Sequence, residues 1–353
     1  MSSIDLVIPT HNRPHLLKRI LDYYQPVAKL FDNIIIADSS EISNKRLNKR
    51  IISLYPNNIM YLDKFPKNLE QHYKFAEMVK YIKSKYCVFC PDDDFVIPNA
   101  IKQCVNFLEK NPQYSAAHGT YISFYISKNL FEFKKFQWRF LFSPTSISSD
   151  NPIDRVASHL RYYVLVLWAV RRSEVVKTCY REFAKTKIGP FMLPVFGELL
   201  PDALTVLFGK IKNLNILYGA RQYLSQIRGY YPSLIDTKKM GKYDLEYTKF
   251  KSCILNNLNK KANLFNQKPD KILDSAMDNY INYSYQEHIM NKIYLALAKY
   301  PKFVSKRLIS LHTYYLFSKA KRNLIGSIDN PRSKYFSDFS RIRNSVLETN
   351  DFS

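Results

Sequence analysis

The chain has 353 residues, 46% of them hydrophobic, and a formal net charge of +23. This excludes a disordered or fibrous polypeptide and allows one large domain with an appendage, or two domains. The basic excess suits an anionic membrane surface, a nucleic acid or a phosphorylated substrate without choosing among them.

Cys87, Cys90, Cys104, Cys179 and Cys253 are odd in number and scattered, which points to reduced core thiols in the cytoplasm rather than a disulfide framework or a zinc site. Met1 to Pro9 has no basic leader, so no signal peptide is expected. No apolar stretch is long enough to predict a membrane span.

Ile4 to Ile8 reads as a strand interrupted only by Asp5, followed by a turn over Pro9-Thr10-His11-Asn12-Arg13-Pro14. Leu16, Leu17, Ile20, Leu21 and Tyr24 have helical spacing, and Pro26 stops that helix. Ile34 to Ala37 is a second buried strand, ending at Asp38-Ser39-Ser40. Lys45 to Leu54 is predicted helical, Ile59 to Leu62 a short strand, and Asn68 to Lys83 a helix. Tyr86-Cys87-Val88-Phe89-Cys90 is then an apolar, β-prone run that stops at Pro91 and three carboxylates, Asp92, Asp93 and Asp94.

Alternation of this kind builds βαβ units and a mostly parallel sheet covered on both faces. Ligands of such sheets bind outside the carboxyl ends of the strands, so Thr10–Arg13, Asp38–Ser40 and Asp92–Asp94 are predicted to share one crevice. Three unpaired carboxylates in a low-dielectric cleft are costly. A hard divalent cation removes that cost; a solvated acidic turn is the plainer alternative. The chain lacks a GxGxxG after its first strand and lacks a phosphate-binding GxxxxGK loop, which argues against a dinucleotide-binding domain and a P-loop ATPase.

These residues carry a resemblance. Ile8-Pro9-Thr10-His11-Asn12-Arg13 resembles the opening motif of family 2-type glycosyltransferases with the GT-A fold. Asp38-Ser39-Ser40 is similar to the acidic turn after their second strand, and Lys67-Asn68-Leu69 to the segment before their third helix. Pro91-Asp92-Asp93-Asp94 with Pro98 looks like their DxD element, although the first acid of that element falls on Pro91.

The resemblance implies an α/β GT-A fold, a Rossmann-like, mostly parallel sheet sandwiched by helices, here with a helical C-terminal extension. It implies that Pro9, Thr10, Asn12, Arg13 and Asn68 line the pocket of a nucleotide diphosphate sugar, a UDP-sugar first among them. Asp38 would accept a hydrogen bond from the base, Asp92 and Asp93 would face the diphosphate, and Asp92 and Asp94 would hold Mn2+ or Mg2+. Turn chemistry is the alternative for Thr10 and Asn12, and an Asx-turn or N-cap for Asp38.

Downstream, Ala100 to Lys110 is a predicted helix and Ser115 to Ser127 a strand in which His118 is a satisfied sheet residue rather than a ligand. The basic, aromatic stretch 128–149 is either a flap beside the cleft or a hairpin on the sheet. Asn151-Pro152-Ile153-Asp154 has the form of a helix start, and Leu165 to Val170 reads as a further strand.

Glu198 and Asp202 are four apart and would share a helix face, with Pro201 in the first turn. Inverting transfer needs a carboxylate as general base near the acceptor hydroxyl. By the resemblance this segment supplies it, with Asp202 the first choice and Glu198 the second; a helix-capping role is the alternative. Ile216 to Tyr218 is the last predicted strand, followed by Arg221 and Arg228 as diphosphate or acceptor contacts. Ser225 stands three residues after Gln222, so the QxxRW motif of processive synthases is absent and transfer of a single sugar is favoured.

After residue 235 the texture turns helical and Lys-rich: Leu245 to Leu264, Pro269 to Tyr300 and Pro301 to Leu324. The last is a basic amphipathic segment that either lies on an anionic membrane or packs on the catalytic part. The tail after Asp329 is expected to be partly disordered at its extreme end.

The sequence thus divides into a catalytic domain over 1–235, with a nucleotide-sugar half (1–125) and an acceptor half (126–235), and a basic helical region over 236–353. It predicts a metal-dependent, inverting glycosyltransferase acting on a glycan or lipid-linked acceptor in surface polysaccharide synthesis, such as a capsule, on the cytoplasmic face of the membrane. A nucleotidyltransferase would need a glycine-rich loop where Pro9 to Pro14 has none. A nucleic-acid-binding protein would cluster its basic residues in a module, and these are spread along the chain, so no nucleic acid partner is expected.

Overall fold

The computed structural model describes residues 3–55, 58–128, 134–142, 145–222, 234–259, 268–297 and 328–348. Four parallel strands, β1 (Ile4–Thr10), β2 (Asn33–Asp38), β3 (Ile59–Leu62) and β4 (Tyr86–Phe89), form one half of the sheet. The other half holds β5 (Phe95–Val96), β6 (Tyr114–Lys128), β7 (Lys134–Phe142), β8 (Val170–Arg172) and β9 (Lys210–Gln222). The order across the nine-stranded sheet is β3-β2-β1-β4-β8-β6-β9-β5, with β7 paired to β6.

Every residue of β1 is buried, as a central parallel strand requires. Asp5 is tolerated there because four donors reach it: the amides of Lys83 (2.7 Å) and Ser84 (3.0 Å), the Ser84 hydroxyl (2.7 Å) and the Asn33 side chain (2.9 Å). His118 is buried in β6, where burial holds its ring neutral and lowers its pKa to about 3. All five cysteines are buried and free.

The helices between strands are α1 (Pro14–Tyr24), α2 (Ile42–Ile52), α3 (Gln71–Met78) and α4 (Pro98–Lys110). Then come α5 (Pro152–Tyr162), α6 (Ser173–Thr186) and α7 (Leu193–Phe208). Helix α1 starts with Pro14 at its first position, where a missing N–H costs nothing. Beyond the sheet lie α8 (Leu234–Lys239), α9 (Asp244–Asn259), α10 (Pro269–Leu297) and α11 (Phe336–Glu348). Helix α10 packs on α5, and α9 on α6 and α7.

Several elements differ from the sequence reading. Strand β1 continues through Pro9 and Thr10, since a proline φ is compatible with an extended chain. Of the two alternatives for the 128–149 stretch, the hairpin is the one observed: its strand β7 pairs antiparallel to β6.

Leu165 to Ala169 is not a strand; only Val170–Arg172 pairs in the sheet. Side chains engage its backbone instead: Asp202 Oδ2 accepts from the amides of Val166 (3.0 Å) and Leu167 (3.2 Å), and Tyr218 donates its hydroxyl to the Trp168 carbonyl (2.7 Å). Pro201 lies inside α7, not in its first turn. Chain 336–348 forms α11, which packs against β7 and α1. The predicted helix Pro301 to Leu324, Arg228, and the extreme end 349–353 lie outside the described residues.

Candidate active site

The three polar clusters meet at the carboxyl ends of β1, β2 and β4. Thr10 Oγ1 donates to Asp92 Oδ2 at 2.6 Å, and the Arg13 guanidinium lies 2.6 Å from Asp92 Oδ1 and 2.7 Å from Asp93 Oδ2. Arg221 donates from Nε to Asp94 Oδ2 at 3.1 Å, and the Gln222 amide donates to Asp94 Oδ1 at 2.9 Å. Each aspartate therefore faces a cation, and the far end of β9 closes the crevice. Burial pushes the Asp92 and Asp94 carboxyls upward, while Arg13 and Arg221 pull them back. Burial works against the Arg13 charge, and Asp92 and Asp93 more than offset it.

Asp38 is buried and held from three sides: the Ser40 amide (2.7 Å), Asn48 Nδ2 (2.8 Å) and the Tyr61 hydroxyl (2.7 Å). It has the Asx-turn bond to Ser40, and its carboxylate supports the crevice floor. Asn12, at φ 54°, stitches the two loops together: its amide donates to Ser40 Oγ (2.7 Å) and its Oδ1 accepts from the Glu41 amide (2.8 Å). Pro9 pairs with Ala37 in the sheet. Asn68 is exposed in the turn before α3, beside Lys67, which pairs with Glu41 at 3.1 Å; it is not part of the aspartate cluster.

Whether these residues suit a divalent cation turns on their free oxygens. The Asp92 side chain is fully buried and doubly engaged, and both Asp94 oxygens are bonded. Asp93 is the most open, with 17% of its side chain exposed. Among the described residues no group of three or more metal-ligating side chains converges. The arrangement fits a cation held by one or two carboxylates and completed by ligand phosphate oxygens, the usual habit of Mg2+.

On the other side of the crevice, α7 presents Glu198 and Asp202 differently. Glu198 is half-buried, accepts the Tyr163 hydroxyl on Oε1, and lies near Arg221. The guanidinium of Arg221 lies 5.8 Å from the Trp168 ring centroid. Burial disfavours its charge, but Asp94 and Glu198 together hold it above its ordinary value. Asp202 is fully buried and holds the loop 165–169 through two amides. Burial pushes its carboxyl up to about 7, Glu198 adds to this, and Arg171 with the two amides opposes it.

Sequence reasoning passed over three cations. Arg19, 2% exposed, donates from Nη2 to the Asp93 carbonyl (3.0 Å) and to Gln222 Oε1 (2.8 Å). Lys74 donates to the Thr10 carbonyl (3.1 Å) and Ser39 Oγ (2.9 Å), and burial lowers it to about 8. Arg171 is buried against the Phe89 ring, 4.5 Å from its centroid. A signal existed for two of them, because Arg19 sits between Leu16 and Tyr23 on the apolar stripe of α1, and Lys74 precedes Phe75 and Met78 on α3.

This fold, with a polar crevice at the strand ends, is that of the GT-A glycosyltransferases. Residues 5–163 match the model of glycosyl transferase family 2. Among solved structures it is similar to S. aureus TarS 1-349 in complex with UDP-GlcNAc, with a TM-score of 0.52 and 12% identity over 98% of this chain and 90% of that one. Longer S. aureus TarS gives a TM-score of 0.50 at 12% identity over 97% of this chain, which spans 54% of that chain's length. No curated protein matches it in sequence.

Proposed function

We propose that the protein moves a single sugar from a nucleotide diphosphate sugar to a glycan or lipid-linked acceptor in surface polysaccharide synthesis, with inversion at the anomeric carbon. The observation that carries this is the run Asp92-Asp93-Asp94 at the end of β4, set among Arg13, Lys74 and Arg221. Thr10, Arg13 and the loop ends around Asp38 form the nucleotide side. TarS of the same fold is crystallised with UDP-GlcNAc, which supports a UDP-sugar as donor.

A bound Mg2+ or Mn2+ would neutralise charge on the departing diphosphate, held by Asp93 with Asp92 and Asp94 behind it. Arg13 and Arg221 orient the phosphates. Glu198 takes the proton of the acceptor hydroxyl as its oxygen bonds to the anomeric carbon and the sugar–phosphate bond breaks. Asp202 positions the loop that faces it. The catalytic part is 1–235, and the basic region 236–353 is the appendage that brings the protein to a membrane-borne acceptor. Among the described residues no helix is long and apolar enough to cross a membrane.

The test is thermal stabilisation by UDP, GDP and CDP, each with Mn2+, with Mg2+ and with chelator. One nucleotide is expected to raise Tm, with the gain reduced by chelator and lost in Asp93→Asn. Equal indifference to all three nucleotides would overturn the reading.

A further inference from the structure

Three apolar side chains stand in solvent on one side of the acceptor half: Phe191 is 39% exposed, Met240 57% and Leu245 66%. They come from two segments that the packing brings together. The loop 187–191 rests on the start of α9, where the Gly189 amide donates to Glu246 Oε2 (2.8 Å) and Lys249 Nζ donates to the Lys187 carbonyl (3.2 Å). The turn between α8 and α9 reaches the same place, with Lys242 Nζ 4.4 Å from the Phe191 ring centroid.

That turn is built to project. Its Gly241 has φ +67° and nothing within 4 Å of where a Cβ would stand, while the amides of Gly241 and Lys242 close α8 on the carbonyls of Lys238 (3.0 Å) and Thr237 (3.2 Å). Lys187, Lys238, Lys239 and Lys242 are exposed around the apolar tips, together with two exposed acids, Asp244 and Asp278, the latter 3.9 Å from Lys238 Nζ.

We propose that this patch docks the protein on an anionic lipid surface, with Phe191, Met240 and Leu245 inserted below the headgroups and the lysines at the headgroup phosphates. The combination decides the partner. Lysine is depleted from protein–protein interfaces, and a soluble polyanion would use the lysines while leaving three clustered apolar tips without a role. Apolar tips ringed by lysine suit an anionic bilayer on both counts. By contrast Ile42, Leu47 and Leu54, also exposed, are strung along and just beyond α2 over roughly 18 Å and form no cluster.

The position has a use. Leu193 opens α7 two residues after Phe191, and Glu198 follows five residues along, about 7.5 Å up the axis. The patch therefore flanks the acceptor end of the crevice. Docking does not depend on the donor reading.

The test is flotation of the full chain with vesicles of phosphatidylcholine alone or mixed with phosphatidylglycerol, at low and physiological salt. Binding is expected only to the anionic vesicles and is weakened by salt. Lys238→Gln with Lys242→Gln should lower partitioning about 30-fold. Phe191→Ser, Met240→Ser and Leu245→Ser together should lower it at least tenfold, on the order expected for losing the apolar contact. Leu47→Ser with Leu54→Ser should bind as the parent does, and an unchanged Tm without added nucleotide shows each variant folded. Full binding by both patch variants, equal loss in the α2 variant, or retention of a soluble anionic polysaccharide in place of vesicles would each overturn the proposal.

Discussion

At the scale of single residues, two carboxylates four positions apart on α7 meet opposite environments. Glu198 is half-buried beside Arg221 and Tyr163, whereas Asp202 is sealed in and bonded to two amides. Glu198→Gln should lower kcat by about 10²–10⁴-fold, the usual worth of a general base, while the donor KM stays near the parent value in steady-state transfer assays. Asp202→Asn should act on stability instead. The folded-state pKa of Asp202 is about 7 against an ordinary 3.8, so the native state binds this proton more tightly than the unfolded chain. That contribution is complete below about pH 4 and is lost as pH rises through about 7, a swing of up to ~4 kcal/mol. Thermal unfolding scanned from about pH 5 to about pH 8 should show the parent losing more Tm than Asp202→Asn; parallel curves would remove Asp202 from this account.

At the scale of elements, helix α7 is shaped by what it lacks. Pro201 cannot donate to the Gly197 carbonyl, and Gly197 itself has no room for a side chain, since a Cβ there would stand 2.5 Å from the His72 ring of α3. Gly197→Ala should therefore part α3 from α7 and lower stability by about 1–3 kcal/mol in urea unfolding.

Helix α11 is anchored by Phe339, 2% exposed, edge-on to Phe136 (5.7 Å) and Trp138 (5.6 Å) of β7. Phe339→Ala should cost about 3–5 kcal/mol, measured by the same unfolding midpoint. Such elements also mark how far the sequence could be read. The βαβ half was legible because its strands are short apolar runs closed by Pro, Asp and Ser, and the crevice residues sit at those closures. The loop 165–169 was not, because its apolar run looks like a strand and only distant side chains, Asp202 and Tyr218, divert its backbone from the sheet. The pairing of each aspartate with an arginine was equally hidden: Arg221 is more than a hundred residues from Asp94, and spacing says nothing about partners that only a closed sheet brings together.

At the scale of the whole molecule, the net charge of +23 is a long-range field that favours the approach of anions. Its reach is set by salt, falling from about 30 Å at 0.01 M to about 8 Å at 0.15 M ionic strength. The association rate of the nucleotide donor should drop over that range while its dissociation rate changes little, since Arg13 and Lys74 act at contact distance inside a partly dry crevice. Stopped-flow fluorescence with a labelled nucleoside diphosphate would separate the two rates.

The five sealed cysteines give the chain an internal clock. Burial pushes the Cys87 thiol up to about 11 and raises Cys90, Cys104 and Cys179 as well, so none of these four offers a thiolate to a reagent while the sheet is shut. Modification must wait for the sheet to open, and its rate then counts openings rather than surface encounters. Cys87 lies within β4 and Cys90 just past its end, one strand away from the nucleotide loops of β1. A donor that clamps β1 to β4 should slow their modification, turning the protein's own sulfur into a gauge of occupancy that needs no label.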